Sequence, residues 1–437
     1  MKSILFPHYR HNLFILVTFL CVLELFLFWP GVLRVDSIDQ LSQALSGNLT
    51  DHHPPVMAFY WALLNKVYSG PGLMLLTHLM LYWGAIYNFI KAFERQTSSD
   101  KTRYIYLFVA LIPQLLIFHP FILKDIGFAH SYFLVISQLT YYTLQGKKPS
   151  YMALFGTFAV LFYGTAVKFQ AVFVLPVVSF WIGSLFHKDI KKVIVFGGLI
   201  FTVFYLVVSV FNRYTSSPTH SWQYVKLYDL AGISLSEKKP IFPTFVKNDS
   251  GFSMERLKKA YHHKRVDELT FIPSPVLVKA KTNEELGELW LCWFYAVLEY
   301  PVSYLTHRFH IFWEQINCSF IKSSIEIQSQ KEHISPKLLF VASFLEKWHL
   351  LHLAKLLTTF SFFLPFQIVY FLCGFYNRRI PVGKTIFFMN GAGLLLILSV
   401  FFFSMAAEAR YIYLTIGCFH FSHPMLYLLW KLRSQKL

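Results

Sequence analysis

Long apolar runs separated by short polar breaks dominate the hydrophobic pattern of this chain, and about 20 apolar residues cross ~30 Å of hydrocarbon as a helix. By that ruler the pattern predicts spans at 12–30, 72–90, 104–118, 126–144, 151–167, 171–186, 193–211, 356–375, 386–404 and 412–430. Ten spans return the chain to the side on which it starts. Segment 56–69 is apolar but short, and it carries Asn65 and Lys66; it reads as a helix lying in the interface after the first loop.

The stretch 212–352 departs from this rhythm. It is polar overall, yet its middle, GELWLCWFYAVLEYPVSYLTHRFHIFWEQI, sets Glu299, Ser303, His307, His310 and Glu314 at three- and four-residue steps. That is one polar stripe on an otherwise apolar helix. Such a helix lies on the bilayer or caps the spans, with Pro301 in its first turn or at a break between two helices. The expected fold class is all-α integral membrane, about ten transmembrane helices with a large, partly helical extracytoplasmic insert. The expected domains are 1–211, with a polar first outer loop at 31–70, the insert 212–352, and the closing membrane helices 353–437.

Composition sharpens the class. Hydrophobic residues make up 55% of the chain and charged residues 14%, with a mean hydropathy of +0.46. Soluble domains carry roughly a quarter charged residues, so an ordinary soluble enzyme is excluded. A net charge of +17 would suit nucleic acid, but the lysines and arginines stand in small clusters just beyond apolar runs, where the inner membrane surface attracts them. The 19% aromatic content, dominated by Phe, suits lipid-facing surface better than base stacking. The bilayer is an expected partner and nucleic acid is not.

Alternate loops on one side hold 17 Lys and Arg; the opposite short loops hold five, Arg34, Lys66, Lys124, Lys168 and Arg410. The positive-inside rule then places both termini in the cytoplasm and 212–352 outside, in a multi-pass protein of the cytoplasmic (inner) membrane. The basic start, Lys2 and Arg10, and an apolar run reaching Pro30 without a small-residue cleavage site read as a retained signal anchor. Cys292 and Cys318 could pair in an extracytoplasmic insert, whereas Cys21, Cys373 and Cys418 lie in apolar runs.

With this topology the unusual polar residues of the turns collect on one face. The first loop brings Arg34, Asp36, Asp39, Asp51, His52 and His53; the turn FHPFILKDIGFAH brings His119, Lys124 and Asp125; TAVKFQAV brings Lys168 and Gln170; MAAEARYIY brings Glu408, Arg410 and Tyr411. Singly, each has a plain reading: an interfacial pair, a snorkelling lysine, a helix cap. His52 and His53 could join an aspartate around a metal, but adjacent imidazoles rarely face one ion; no metal site is expected, and a divalent cation stays open as a cofactor. Glu24, His78 and His130 could form a proton relay or pair with neighbouring groups inside the spans. Jointly, the outward charges describe a cavity mixing carboxylates with cations on a side otherwise poor in Lys and Arg. Transfer of a sugar from a lipid phosphate needs that mixture. A carboxylate accepts the proton of the attacking hydroxyl, and fixed cations stabilise the departing phosphate.

The acidic DS at 36–37 after the first span, a short helix, and HHPP at 52–55 opening the next apolar segment resemble the first outer loop of the GT-C glycosyltransferases, polytopic enzymes that use polyprenyl-phosphate sugars. The resemblance covers the membrane scaffold, about 1–211 and 356–430, and does not extend to 212–352. It implies Asp36 as catalytic base, with Asp39 its competitor three residues on. It also implies acidic and basic site residues at KD, Lys124 and Asp125, and at EARY, Glu408 to Tyr411. On this reading Lys124, Lys168 and Arg410 contact the donor phosphate, and Arg34, His52, His53, Asp125, Glu408 and Tyr411 complete the site. The implied activity is inverting transfer of a sugar from a polyprenyl-phosphate donor to an envelope glycan, lipid or protein acceptor on the outer face. The alternative is a polytopic transporter or lipid flippase whose polar cavity opens outward, although neither pseudo-symmetric halves nor broken midplane spans are evident in the sequence.

Overall fold

The computed structural model describes residues 7–97, 102–271, 275–318 and 359–434. Among them every regular element is helical, and extended backbone pairs only as isolated bridges. In chain order the helices are α1 (Pro7–Phe28), α2 (Val35–Ser46), α3 (Val56–Asn65), α4 (Gly72–Glu94), α5 (Thr102–Ala110), α6 (Pro113–Leu116), α7 (Lys124–Gln145), α8 (Tyr151–Ala166), α9 (Ala171–Phe186) and α10 (Ile190–Thr215). There follow α11 (Trp222–Glu237), α12 (Thr244–Lys247), α13 (Met254–Ala260), α14 (Asp267–Thr270), α15 (Asn283–Glu299) and α16 (Pro301–Ile316). The last are α17 (Phe360–Tyr376), α18 (Pro381–Phe403), a 3-10 turn at Ala409–Ile412, and α19 (Tyr413–Ser434).

Two compact units divide the chain. One holds the chain to Pro218, the helical part between 359 and Ile397, and the segment that starts at Arg410; the other holds Thr219–Cys318 and Leu398–Ala409. The second unit thus starts later than 212 and takes in the end of α18. The expected end of the insert at 352 and the start of the span at 356 lie outside the described residues, as do Lys2, Lys101 and Lys436.

Among the described residues four helices are long and apolar enough to cross a membrane: α4, α10, α18 and Ala409–Ser434. Other expected spans are shorter apolar helices, Asn12–Phe28, Tyr151–Ala166, Ala171–Phe186 and Phe360–Tyr376. The run 104–118 is not one helix. It breaks between α5 and α6, where Ile112 is extended at φ −62°, ψ 132°; Pro113 pushes the residue before it out of the helical region and lacks the amide that would continue the ladder. Segment 56–69 contains only the ten-residue α3, about 15 Å long at 1.5 Å per residue, so it does not cross.

Helix α7 is the axis of the first unit, packed against α4, α8 and α19. Its inner surface mixes apolar residues with polar ones that find local partners. Glu24 accepts from Trp83 Nε1 (3.0 Å) and pairs with His119 Nδ1 (2.8 Å). His130 Nδ1 donates to the His78 carbonyl (2.8 Å), and its Nε2 lies 3.2 Å from the Tyr413 hydroxyl. Glu24 thus pairs with Trp83 and His119, and His130 with the His78 backbone and Tyr413.

A short parallel contact sets the geometry of the first loop. Val32 donates to the Pro120 carbonyl (2.7 Å) and Ile122 donates to the Val32 carbonyl (3.0 Å), tying the segment before α2 to the segment before α7. Ser37 adds a hydroxyl bond to the Ile122 carbonyl. Gly31 makes the approach possible: its φ is +100°, and a Cβ there would stand 2.6 Å from Ile122 Cδ1. Gly31→Ala should destabilise the fold by about 1–3 kcal/mol. The check is thermal unfolding in detergent, and an unchanged midpoint would count against this account of the loop.

The second unit has its own core, with Leu227, Leu230, Ile233, Phe242, Val246, Leu257, Leu289 and Ile311 buried together. The run divides at Tyr300 into α15 and α16, the break between two helices that Pro301 allows, with Pro301 as the first residue of α16, where its missing amide costs nothing. The polar stripe is partly turned inward. Ser303, His307 and Arg308 are buried, while Val302, Leu305, Phe309 and Trp313 are exposed. Cys292 and Cys318 are not joined by a disulfide.

Candidate active site

Two helix N-termini supply the carboxylates. Asp36 lies in the first turn of α2 and Asp125 in the first turn of α7, where unpaired amides and the helix dipole favour negative charge. The bridge between Val32 and Phe121 brings these two N-termini together, which is how Asp36 comes within reach of Lys124, 88 residues away. The 3-10 turn before α19 delivers Arg410, and the loop between α8 and α9 delivers Lys168.

Around Asp36 the cations bear on one oxygen. Arg410 Nη1 donates to Asp36 Oδ2 at 2.9 Å, and Lys124 Nζ lies 3.5 Å from the same atom. Among the described residues no group donates to Oδ1. Arg410 Nη1 also reaches Asp125 Oδ2 at 3.5 Å, and Lys168 forms a close ion pair with Asp125 Oδ1. Tyr411 borders the cluster, its ring 5.0 Å from Lys168 Nζ and 5.1 Å from the Arg410 guanidinium carbon. Among the described residues, Lys124, Arg410 and Lys168 thus surround the carboxylates of Asp36 and Asp125.

Burial grades the members. The Asp36 side chain is 24% exposed and Lys124 16%, whereas Lys168 is 3% and Asp125 1% exposed. Lys124 therefore has an open side. Lys168, expected as a donor-phosphate contact, is instead enclosed and committed to Asp125, because leaving either charge unpaired in that interior would cost several kcal/mol.

Proton positions follow from the partners. Burial alone would raise the Asp36 pKa, but Lys124, Arg410 and His53 overcome it and hold the carboxyl well below the usual carboxylate range. Those three make the largest neighbouring contributions, a role that sequence proximity suggests for Arg34. Arg34 instead precedes α2 as its N-cap, its amide donating to Ser37 Oγ at 3.4 Å. Lys124 donates to His53 Nδ1, so His53 carries its own proton on Nε2, which points to Asp39 Oδ2 at 4.0 Å. Asp39, 44% exposed, also accepts from Gln43 Nε2 at 2.8 Å. It sits at the rim, and His53 stands between it and Lys124.

Burial first and the Lys124 charge second depress the His53 pKa from 6.5 to about 2. Between those values the unfolded chain binds a proton that the folded site refuses, so stability rises with pH across the window. Taking the protein from pH 6.5 to 5.5 should therefore cost up to about 1.4 kcal/mol on this account. His53→Gln should flatten that slope in denaturant or thermal titrations, and a variant as acid-sensitive as the parent would assign the effect elsewhere.

Not every expected member joins. His52 lies beside His53, ring centroids 4.6 Å apart and tilted by 47°. Glu408 belongs to the second unit, where Gln315 holds its backbone: Gln315 Nε2 donates to its carbonyl (2.6 Å) and its amide donates to Gln315 Oε1 (3.0 Å). His119 is turned inward to Glu24. Among the described residues no group of three or more His, Cys, Asp or Glu side chains is placed to hold a metal ion.

The sequence reading missed a second polar centre, in the second unit. Asp229 Oδ1 lies 2.6 Å from Arg308 Nε and 3.4 Å from His307 Nε2, and Asp229 Oδ2 accepts from Trp293 Nε1 at 2.8 Å. The available signal was a lone carboxylate in the apolar run YVKLYDLAGIS with Gly232 one helical turn on. No family model matches this chain, and no curated protein or solved structure matches it either.

Proposed function

We propose that this chain is an inverting glycosyltransferase of the GT-C type, moving a sugar from a polyprenyl-phosphate donor to an acceptor hydroxyl at the outer face of the membrane. Asp36 is the base, and Lys124 with Arg410 receives the departing phosphate. The chain is multi-pass with about ten spans, both termini are cytoplasmic, and Thr219–Cys318 is outside. The envelope glycan, lipid or protein acceptor supplies the nucleophile.

One observation carries the reading: two cations share Oδ2 of Asp36 while Oδ1 takes no donor from the described residues. A general base needs a lone pair free for the incoming proton, and a phosphate leaving group needs cations within a few ångströms of that base. In the step, the acceptor oxygen bonds to the anomeric carbon as the bond from that carbon to the phosphate oxygen breaks. The hydroxyl proton passes to Oδ1, and the electron pair leaves with the lipid phosphate. The phosphate competes with Asp36 for Lys124 and Arg410. Donor binding therefore relieves the very charges that depress Asp36 and makes it a stronger base when the donor is present.

Lys124 is the cleanest probe because it has an open side. Lys124→Gln should weaken binding of a polyprenyl phosphate to the detergent-solubilised protein by about 1–3 kcal/mol, the range for a lost charge-assisted hydrogen bond, with the unfolding midpoint little changed. Parental affinity in Lys124→Gln and in Arg410→Gln together would move the phosphate site elsewhere.

A further inference from the structure

A cavity of about 760 Å³ opens in the second unit between α11, α13 and α16, within the size range of small-molecule sites. We propose that it binds a phosphate-bearing saccharide, with Lys238 and Lys258 holding the phosphate and the Tyr261 oxygen accepting from a sugar hydroxyl. The proposal is independent of the transferase reading, since every residue involved lies within the second unit.

The lining has the required chemistry. Lys238 and Lys258, both exposed, line the cavity with the carboxylate of Glu255, and the neighbouring Glu237 is occupied by the Ser303 hydroxyl, from which it accepts. Lys238 adopts the left-handed conformation at the end of α11, φ 55° and ψ 29°, a position where glycine is the usual residue. Hydroxyls of Ser236, Ser303 and Thr306 line the same space, with Leu235 and Met254 as apolar members. The apolar surface suits the faces of a sugar ring, and the hydroxyls and lysines suit its polar edge.

Tyr261 is set by a chain of partners behind it. His307 Nε2 faces the Asp229 carboxylate at 3.4 Å and so carries the ring proton; its Nδ1 is left as an acceptor, 2.6 Å from the Tyr261 hydroxyl. Tyr261 must donate to it. The phenolic oxygen then has only lone pairs to offer, to His263 Nδ1 at 3.2 Å and to the cavity. Gly232 allows the arrangement, because a Cβ on it would stand 2.2 Å from His307 Nδ1. The result is a fixed acceptor beside exposed cations, the pairing that tells a sugar phosphate from a bare anion.

The test uses the full chain in detergent and titrates glucose 6-phosphate, glucose and inorganic phosphate. Glucose 6-phosphate should bind saturably and at least tenfold more tightly than either of the others. Lys238→Ala combined with Lys258→Ala, both on the surface, should weaken it at least tenfold. Tyr261→Phe should reduce the preference for glucose 6-phosphate over phosphate, and Lys124→Gln should leave binding unchanged. Absence of saturable binding overturns the proposal, as does parental affinity in the double lysine variant. Equal binding of phosphate and glucose 6-phosphate, untouched by Tyr261→Phe, overturns the saccharide. Loss of binding in Lys124→Gln assigns the probe to the other cluster and also overturns it.

Discussion

Asp36→Asn should lower transfer from a polyprenyl-phosphate sugar about 10²- to 10⁴-fold, the contribution expected of a positioned general base, while the protein still folds and binds donor. Asparagine keeps the size and can still accept from Arg410 through its amide oxygen, but it cannot take the acceptor's proton. Asp39→Asn is the control, since Asp39 is nearly half exposed and stands behind His53; its loss should be felt far less. Activity retained in Asp36→Asn and abolished in Asp39→Asn would shift the base by one helical turn. Retention in both variants would remove the main support for the transferase and favour a transporter or flippase. The pH profile adds a check that a structural role would not produce. With Lys124, Arg410 and His53 holding the Asp36 carboxyl below the usual range in the free protein, and a bound phosphate opposing them, the acid limb of kcat should lie at higher pH than the acid limb of kcat/KM, which reports the free enzyme.

Lys168→Met should cost about 3 kcal/mol of stability, the low end of the range for breaking a buried ion pair. The loss leaves Asp125, 1% exposed, without its closest cation, with Arg410 at 3.5 Å and the Lys124 charge left to compensate it. Adding Asp125→Asn should recover part of the loss, because the second change removes the charge left unpaired. Thermal unfolding of the two single variants and the double variant measures the coupling. Additive losses would show that the pair contributes nothing as a pair. A Lys168→Met protein that unfolds like the parent but no longer binds polyprenyl phosphate would return Lys168 to the donor site.

Much of the site was legible in the sequence for a simple reason. Charge at the ends of apolar runs is costly unless it is paired or used, so Asp36, Lys124, Asp125, Lys168, Arg410 and Tyr411 stood out from their surroundings, and all six meet in the first unit. Spacing could not say which charges pair with which. Arg34 is nearer to Asp36 in sequence, yet Arg410 is the partner at 2.9 Å. Glu408, two residues from Arg410, belongs to the other unit.

The sequence by itself determined the all-helical class, the apolar character of the long helices and the inventory of charges at the ends of apolar runs, because hydrophobic period, run length and the cost of buried charge are local properties. It also marked the break at Pro301, since a missing amide acts on its own turn. Only the tertiary structure decided that Lys168 is locked on Asp125, that His53 shields Asp39, and that the polar stripe of α16 turns inward to Asp229. These depend on which helix faces which, and here that was set by contacts invisible to periodicity: a two-residue bridge at Val32, a glycine at 31 that lets Ile122 approach, and a glycine at 232 that admits an imidazole.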